Sequence, residues 1–182
     1  MKGGIRIAAI TSGPAANGKS ALVVCIIARS GVIEGAISAH VMTDGTDSTA
    51  RITSMIRRSR FREQVKLIAL NGIALAGLNV IDIKRVAKSL NADFAVLTRR
   101  RPRNTLLIRA LKRLSKETGS DTAARIRMVE GMSGLKLIKS GGFFVQSSAE
   151  LPESVVRLAF DALRVSHIVS RGISTGESKG RI

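Results

Sequence analysis

The sequence contains no tryptophan, no tyrosine and only five phenylalanines among its 182 residues. Because unpaired bases usually stack on aromatic rings, the chain has few side chains that could recognise a nucleic acid by stacking. The single cysteine, Cys25, lies inside an apolar run, and an intramolecular disulfide is excluded. We therefore assign Cys25 to core packing rather than to nucleophilic chemistry.

Long apolar runs are also absent. No segment approaches the roughly 18 consecutive apolar residues that indicate a membrane helix, and the N-terminal segment is too short and too charged for a secretory signal. Hydrophobic residues still make up 45% of the chain, which is enough for a core in one domain. The composition predicts a cytoplasmic protein with a single domain at residues 1–182, of which 176–182 form a polar tail that can be mobile.

Acidic residues are scarce, since 13 Asp and Glu stand against 30 Lys and Arg and leave a net charge of +17. Such an excess favours polyanionic partners through phosphate contact and counterion release. We expect a nucleic acid partner, DNA in preference to RNA, bound through its backbone rather than through its bases, and no membrane. A generally basic surface without a specific partner is the alternative.

The order of apolar and polar segments predicts a three-layer α/β fold. Short links between three apolar strands predict an antiparallel meander at residues 5–11, 21–28 and 32–41. Two further strands, the first apolar enough to be central, and a late hairpin are predicted at 65–70, 94–98, 135–138 and 143–146. Helices are predicted around 52–56 and at 80–90, 104–116 and 152–168. Asp47 or Ser48 is the expected N-cap of the first helix.

A phosphate-loop pattern, G-x-x-x-x-G-K-[ST], occurs at residues 13–20. In a true phosphate loop a helix begins directly after the loop, so that its N-terminus faces the phosphates. Here the residues after Ser20 are Ala-Leu-Val-Val-Cys-Ile-Ile, which predict a strand, and the later apolar strands do not end in an acid. We interpret the match as the connection between two antiparallel strands and not as a nucleotide site.

Several separated motifs resemble one family. They begin with Thr43-Asp44-Gly45-Thr46-Asp47, continue through residues 55–64 and 71–82, and end with the closing Gly-Glu-Ser-Lys-Gly-Arg. In this order they look like the archaeal endonuclease dU family, formerly domain of unknown function 99, which is related to endonuclease V. The resemblance runs from about residue 4 to the C-terminus. It implies a ribonuclease-H-like mixed sheet with an N-terminal three-stranded meander and flanking helices, and metal-dependent cleavage, in repair, of DNA that contains deoxyuridine or a similar lesion.

The chain departs from that family where carboxylates are expected. The first strand of the family typically ends Gly-Ile-Asp-Asp-Gly-Pro, whereas Thr11 and Ser12 stand at the acidic positions here. A later strand typically ends Leu-Asp-Gly-Ile, whereas here Asn71 replaces the acid. Hydroxyl and amide groups carry no negative charge and bind Mg²⁺ weakly, so we expect cleavage to be reduced or lost. Asp44 and Asp47 are retained, either for turn and cap chemistry alone or also for a weakened metal site.

The sequence supports three hypotheses. The first is a nucleic-acid-binding relative of endonuclease V in which catalysis is reduced or absent. The second is an active metal-dependent DNA endonuclease that uses Asp44, Asp47 and another acid in a rearranged site, with Mg²⁺ or Mn²⁺ as cofactor. The third is a basic non-enzymatic scaffold that binds an acidic protein or an RNA assembly. No metal is assigned from sequence, and whether the chain is an enzyme stays open.

Two groups of basic residues are candidates for phosphate contact. The first crosses a helix end, and the second extends from a loop along one helix face at i, i+3, i+4 and i+7. A solvated face is the ordinary explanation for such runs. The first group is Arg57, Arg58, Arg60 and Arg62, and the second is Arg99, Arg100, Arg101, Arg103, Arg109, Lys112, Arg113 and Lys116.

Other conspicuous residues have simpler interpretations. Gly72 and Gly77 are expected to let a loop approach the sheet edge closely. His167 precedes an apolar segment and is interpreted as a packed side chain rather than a base. Glu177 and Lys179 belong to the tail that matches the family, and the sequence gives them no mechanical role.

Overall fold

The computed structural model describes residues 4–16 and 18–178. The strands are β1 (Arg6–Ala16), β2 (Ser20–Arg29), β3 (Val32–Met42), β4 (Val65–Leu70), β5 (Ala74–Leu75), β6 (Asn79–Val80), β7 (Asp93–Thr98), β8 (Ile138–Ser140) and β9 (Phe143–Ser147). The helices are α1 (Ser48–Arg57), α2 (Ile83–Leu90), α3 (Asn104–Thr118), α4 (Ala123–Ser133) and α5 (Glu153–Thr175).

Seven of the strands form one mixed sheet in the order β3-β2-β1-β4-β7-β9-β8. β1, β2 and β3 pair as an antiparallel meander, whereas β4 joins β1 and β7 joins β4 in parallel. β9 and β8 complete the far edge in antiparallel pairing. The predicted meander, the central position of the fourth strand and the late hairpin are confirmed. β5 and β6 form a separate small hairpin.

Alternating side chains divide the core between the two faces of the sheet. Ala8 and Ile10 of β1 pack on one face with α1, α2 and α4, whereas Ile7 and Ala9 pack on the other face with α5. Successive residues of a strand point to opposite faces, so this division follows directly from the strand geometry. The same alternation decides which element each polar residue at the end of β1 contacts.

β1 is longer than the sequence predicts. The Gly13-Pro14 pair was expected to end it, but the strand continues to Ala16 with a bulge between Ser12 and Ala15. Pairing with β4 stops at Ile10, so the last part of β1 has only β2 as a neighbour. Proline lacks an N–H group and is tolerated at such a bulged, one-sided strand end.

The bounds of three other secondary-structure elements also differ from those that the sequence predicts. α2 begins at Ile83 rather than at residue 80, because the preceding residues fold into the β5–β6 hairpin and the Asp82 side chain accepts from the Arg85 N–H at 3.0 Å. The turn between β8 and β9 is Gly141-Gly142, both with positive φ, which leaves Ser140 in the strand. α5 extends to Thr175, well beyond the predicted end at residue 168.

α4 was not predicted at all. Its buried side chains are Arg125, Val129 and Met132, at the i, i+4 and i+7 spacing of an amphipathic helix. An arginine on the buried face and Gly131 near the helix end obscure that period, since neither counts as apolar or as a good helix former.

The residues of the phosphate-loop pattern form a hairpin. Gly13 to Ala16 belong to β1 and Ser20 begins β2, while Asn17 lies outside the described residues. A strand rather than a helix begins at Ser20, so the predicted hairpin is confirmed. At the other end, Lys179 to Ile182 of the predicted tail lie outside the described residues. Within residues 4–16 and 18–178, no helix has the length and apolarity needed to cross a bilayer.

Candidate functional site

Thr11, the first of the two positions in β1 at which the family resemblance predicts an acid, is held in a network of hydroxyl groups. Its side chain is buried and lies 2.9 Å from Ser166 Oγ and 3.3 Å from Ser170 Oγ of α5. Ser166 Oγ in turn donates to the Val24 carbonyl at 2.7 Å. These uncharged groups satisfy one another, so the end of β1 is tied to α5 without a carboxylate.

Ser12 points to the opposite side of the sheet and contacts the β5–β6 hairpin. Its Oγ accepts a hydrogen bond from the Ala76 N–H at 3.1 Å. The Ala76 carbonyl accepts from the Asp44 N–H at 3.0 Å, and Asp44 Oδ1 accepts from the Leu78 N–H at 2.7 Å. Ser12 and Asp44 are therefore connected through the residues 76–78 of this hairpin, which we call the hairpin loop.

Asn71 follows directly on the last paired residue of β4. The register pairs Ile10 with Leu70, so Thr11 and Asn71 leave the sheet at adjacent strand ends. Asn71 is exposed, whereas Thr11 is buried. The three positions at which the family resemblance predicts acids thus have different surroundings: Thr11 is buried against α5, Ser12 faces the hairpin loop and Asn71 is open to solvent.

Asp47 occupies the N-cap position of α1 but does not cap the helix. Its backbone is in the right-handed helical region, and its Oδ1 instead accepts from the Met42 N–H at 3.1 Å and from Asn79 Nδ2 at 2.8 Å. Asn79 Oδ1 accepts from the Ser48 N–H at 3.2 Å and so satisfies one of the free N–H groups at the start of the helix. The predicted N-cap position of Asp47 is confirmed, although its own side chain makes no capping hydrogen bond.

Arg125 is the functional-site residue that sequence reasoning missed. It is only 3% exposed, and its Nη1 donates to the carbonyl oxygens of Asp44 at 2.7 Å, Leu78 at 3.2 Å and Gly45 at 3.4 Å. The dipoles of these three carbonyls stabilise the positive charge of the buried guanidinium. The i, i+4, i+7 spacing with Val129 and Met132 is the sequence signal that could have revealed it.

Three polar atoms beside this turn are buried without a hydrogen-bond partner in the described part of the chain. They are Arg125 Nε, Thr43 Oγ1 and Ser48 Oγ. Each could donate to a buried water, which is the ordinary partner of such groups. All three are available as donors, and two are hydroxyls, so they add no negative charge to the turn.

The oxygens near the Asp44–Asp47 turn do not form a ligand set for a divalent cation. Asp44 accepts from the hairpin loop, and Asp47 Oδ2 pairs with Arg51 at 3.4 Å. Across residues 4–16 and 18–178, no three His, Cys, Asp or Glu side chains come together in a metal-binding arrangement. With the Arg125 cation beneath the same turn, the residues present do not fit Mg²⁺ or Mn²⁺, which require several oxygen ligands with negative charge.

Both predicted basic groups are exposed. Arg57 and Arg58 lie at the C-terminal end of α1, and Arg99, Arg100, Arg101 and Arg103 occupy the loop between β7 and α3, as predicted. The Arg99 guanidinium lies 5.1 Å from the centre of the Phe160 ring, a distance that allows a cation–π contact. With Phe144, the four loop arginines line an open cavity of about 540 Å³, which we call the arginine pocket.

The remaining candidates have structural roles. Burial raises the pKa of the Cys25 thiol far above its ordinary value, which agrees with its assignment to the core. Gly77 has φ +82° and lies against the Asp44 carboxylate, whereas Gly72 has φ +88° and no atom within 4 Å of the position of a Cβ. Close approach of the chain is thus required at Gly77 only.

The fold defines the class of protein. The structure is similar to the crystal structure of human ENDOV, with a TM-score of 0.53 over 95% of this chain and 85% of that one at 7% identity, and this likeness concerns the fold. The chain is therefore a mixed α/β protein with the ribonuclease-H-like fold of endonuclease V.

Closer similarities identify the family. A crystal structure described as a protein of unknown function from Archaeoglobus fulgidus has a TM-score of 0.82 at 29% identity and covers 94% of this chain and 99% of that one. UPF0215 proteins of Archaeoglobus fulgidus and Methanothermobacter thermautotrophicus are 32% and 30% identical, over 87% and 99% of this chain and 89% and 93% of their own lengths. The sequence model described as endonuclease dU matches residues 3–174. The chain belongs to the endonuclease dU family.

Proposed function

We propose that the chain is a nucleic-acid-binding member of this family in which cleavage of deoxyuridine- or lesion-containing DNA is reduced or lost. The observation that carries the proposal is the engagement of the acid-replacing residues by neutral partners: Thr11 by the hydroxyls of α5 and Ser12 by the hairpin loop. Metal-assisted cleavage of a phosphodiester needs bound metal ions that activate water and stabilise the leaving oxygen. Neutral groups at Thr11 and Ser12, together with the buried Arg125 beneath the Asp44–Asp47 turn, disfavour binding of those ions.

The basic surface supports the binding half of the proposal. A net charge of +17 on 182 residues attracts a polyanion, and the arginine pocket concentrates four guanidinium groups at the carboxyl end of β7. Guanidinium groups pair with phosphate oxygens in a two-pronged geometry that suits backbone contact. Because few aromatic residues are present, we propose contact with the backbone, DNA in preference to RNA, by the basic groups named above.

The test compares binding and cleavage by the same purified chain. A labelled duplex with one deoxyuridine, an undamaged duplex and an RNA of equal length are each titrated across a series of salt concentrations, with Mg²⁺, Mn²⁺ or EDTA. We expect binding that weakens steeply with salt and no metal-dependent nicking. Metal-dependent nicking that Asp44→Asn abolishes would establish an active endonuclease instead. Absence of nucleic-acid binding at low salt would favour a scaffold for an acidic protein.

A further inference from the structure

A groove between α1 and α2 has no role in the site described above. Its volume is about 640 Å³, and its walls carry hydroxyl groups from Thr46, Thr49, Thr53, Ser54 and Ser89. Thr49 and Thr53 of α1 are four residues apart, so their short side chains share one face of the helix, and Ser54 lies beside them. Ile52 and Ile56 of the same helix are buried in the core, which fixes the hydroxyl-bearing face outward.

Two of these hydroxyls are bonded within the protein, and two others are available to a ligand. Thr49 Oγ1 accepts from the Asp82 N–H at 2.9 Å and fixes the start of α2 against α1, and Ser89 Oγ donates to the Val86 carbonyl. Within the described part of the chain, Thr53 and Ser54 have no hydrogen bond from their hydroxyl groups. These two hydroxyls can therefore donate to a ligand in the groove.

The charged side chains of the groove are mainly cationic. Arg57, Arg58 and Arg85 line it, and Arg57 Nη2 donates to the Ser89 carbonyl at 3.1 Å, which holds its guanidinium between the two helices. Asp82 is the one carboxylate among the lining residues, and it already accepts from the Arg85 N–H as the N-cap of α2. Hydrogen-bond donors, namely guanidinium and hydroxyl groups, therefore outnumber carboxylate acceptors in the groove.

The groove begins at the candidate site. Thr46 lies in the turn between Asp44 and Asp47, and Arg58 lies at the opposite end of α1. The ten residues of α1 alone span roughly 15 Å at about 1.5 Å per residue, which is long enough for consecutive phosphates and too long for a single small anion. The arginine pocket belongs to the β7–α3 loop and shares no residue with this groove.

We propose that the α1–α2 groove binds the sugar-phosphate backbone of one nucleic acid strand, with hydroxyls donating to phosphate oxygens and Arg58 and Arg85 neutralising phosphate charge. Hydroxyl and guanidinium donors are the groups that position a backbone without reading sequence. This inference rests on the proposed function and adds a path for the strand away from the Asp44–Asp47 turn. Contact here is sequence-independent and sensitive to salt.

The test removes two charges from the groove and, in a matched control, two from the other face of the sheet. Arg58→Gln/Arg85→Gln is compared with Arg164→Gln/Arg171→Gln, whose residues are exposed on α5. The groove variant is expected to lose about tenfold or more in affinity for a duplex near 0.1 M salt and to lower the slope of log K against log salt by about 2. The α5 variant is expected to change affinity less than about threefold and to keep more of the slope.

A second pair of variants keeps every arginine and checks the hydroxyl face. Thr53→Glu places a carboxylate in the groove, while Ser154→Glu adds the same charge at the exposed start of α5. Only Thr53→Glu is expected to weaken binding strongly, with thermal unfolding confirming that both variants fold. If wild-type protein binds and the groove variants match their controls, the groove proposal is overturned and the proposed function stands. If wild-type protein does not bind, both are overturned.

Discussion

Arg125 Nη1 donates to the main-chain carbonyl of Asp44 at 2.7 Å, although 81 residues separate them in sequence. The same nitrogen reaches the Leu78 carbonyl at 3.2 Å, so one guanidinium of α4 joins the β3–α1 turn to the hairpin loop. The retained aspartate of the turn is therefore positioned by main-chain contacts. Arg125, a basic residue of α4, thus helps to position the Asp44 carboxylate through its contacts with the main chain.

Replacing Arg125 is expected to destabilise the fold. Arg125→Met keeps much of the apolar volume but leaves the part-buried carbonyls of Asp44 and Leu78 without this charged donor. Buried polar groups that lose a charged partner cost about 2–4 kcal/mol in the free energy of unfolding. Urea unfolding measures this loss, and Arg127→Met, on the exposed side of the same helix, is the control, with an expected change within about 0.5 kcal/mol. Equal stability of the two variants would contradict the observed contacts.

Gly77 and Gly72 provide a matched pair for the contact with Asp44. Both have positive φ, +82° and +88°, so alanine at either position carries a backbone cost of about 1–2 kcal/mol. A methyl group at Gly77 would also overlap Asp44 Oδ1, whereas one at Gly72 would meet no atom within 4 Å. We expect Gly77→Ala to lower the free energy of unfolding by about 1–3 kcal/mol more than Gly72→Ala.

A double-mutant cycle separates the overlap from the backbone cost. Asp44→Ala removes the carboxylate that the new methyl group would meet, so Gly77→Ala should cost less in that background than in the wild type. Additive effects of Gly77→Ala and Asp44→Ala, measured by denaturant unfolding, would show that the two residues are not in contact.

Glu34 gives a pH dependence of known sign. Hydrogen bonding from Arg6 and the nearby charge of Arg29, whose Nε lies 2.8 Å from Glu34 Oε1, lower the pKa of this carboxyl below its ordinary value. The unfolded chain therefore takes up the proton first as pH falls, so the stabilisation is present above a pH of about 4.3 and is lost as pH falls through the folded pKa.

Thermal unfolding of Glu34→Gln from pH 7 to pH 3 tests this sign. The variant is expected to melt below wild type at pH 7 and to approach it as pH falls, with a smaller difference in high salt. Glu130→Gln, on the exposed side of α4, reports the effect of removing a carboxylate outside this cluster. A Glu34→Gln deficit that grows towards acid pH would show that the carboxyl is not stabilised in its charged form.

The meander and the basic loop could be predicted because their signals are local. β-branched runs such as residues 21–28 favour strands wherever they are placed, and a loop of arginines after an apolar strand stays exposed in almost any packing. Turn chemistry predicts a turn at Asp44, which the positive φ of 54° at this residue confirms. These features need no knowledge of distant neighbours.

The parts that failed depend on partners far along the chain. Asn79 Oδ1 binds the Ser48 N–H at the start of α1 from 31 residues away, and no pattern within the helix reveals this partner. The hidden period of α4 depends on the carbonyls that accept from Arg125, which make an arginine acceptable on a buried face. Strand alternation at β1 could have separated Thr11 from Ser12, because adjacent strand residues face opposite sides.

Acids at positions 11 and 71, where the family resemblance predicts carboxylates, are expected to create a binding site for a divalent cation. Thr11 and Asn71 leave the sheet at adjacent strand ends, so Thr11→Asp/Asn71→Asp brings two carboxylates to one end of β1 and β4. Carboxylates so placed provide the negative oxygen ligands that Mg²⁺ and Mn²⁺ prefer. An ion that binds the folded chain raises its stability, by about 2.7 kcal/mol at a hundredfold excess over Kd.

Thermal unfolding with and without Mn²⁺ tests whether the two added carboxylates bind the ion and whether the wild-type protein already does. The double variant is expected to be less stable than wild type without metal, since Thr11 is buried among the α5 hydroxyls and a carboxylate there is poorly solvated. Mn²⁺ should raise its midpoint and leave wild type unchanged. Ser12→Asp/Asn71→Asp has the same charge but places one acid beside the hairpin loop, on the other side of the sheet, and should respond less. If Mn²⁺ raises the unfolding midpoint of wild-type protein equally, carboxylates already present in the chain bind the ion, and the substitutions at Thr11 and Asn71 add no site.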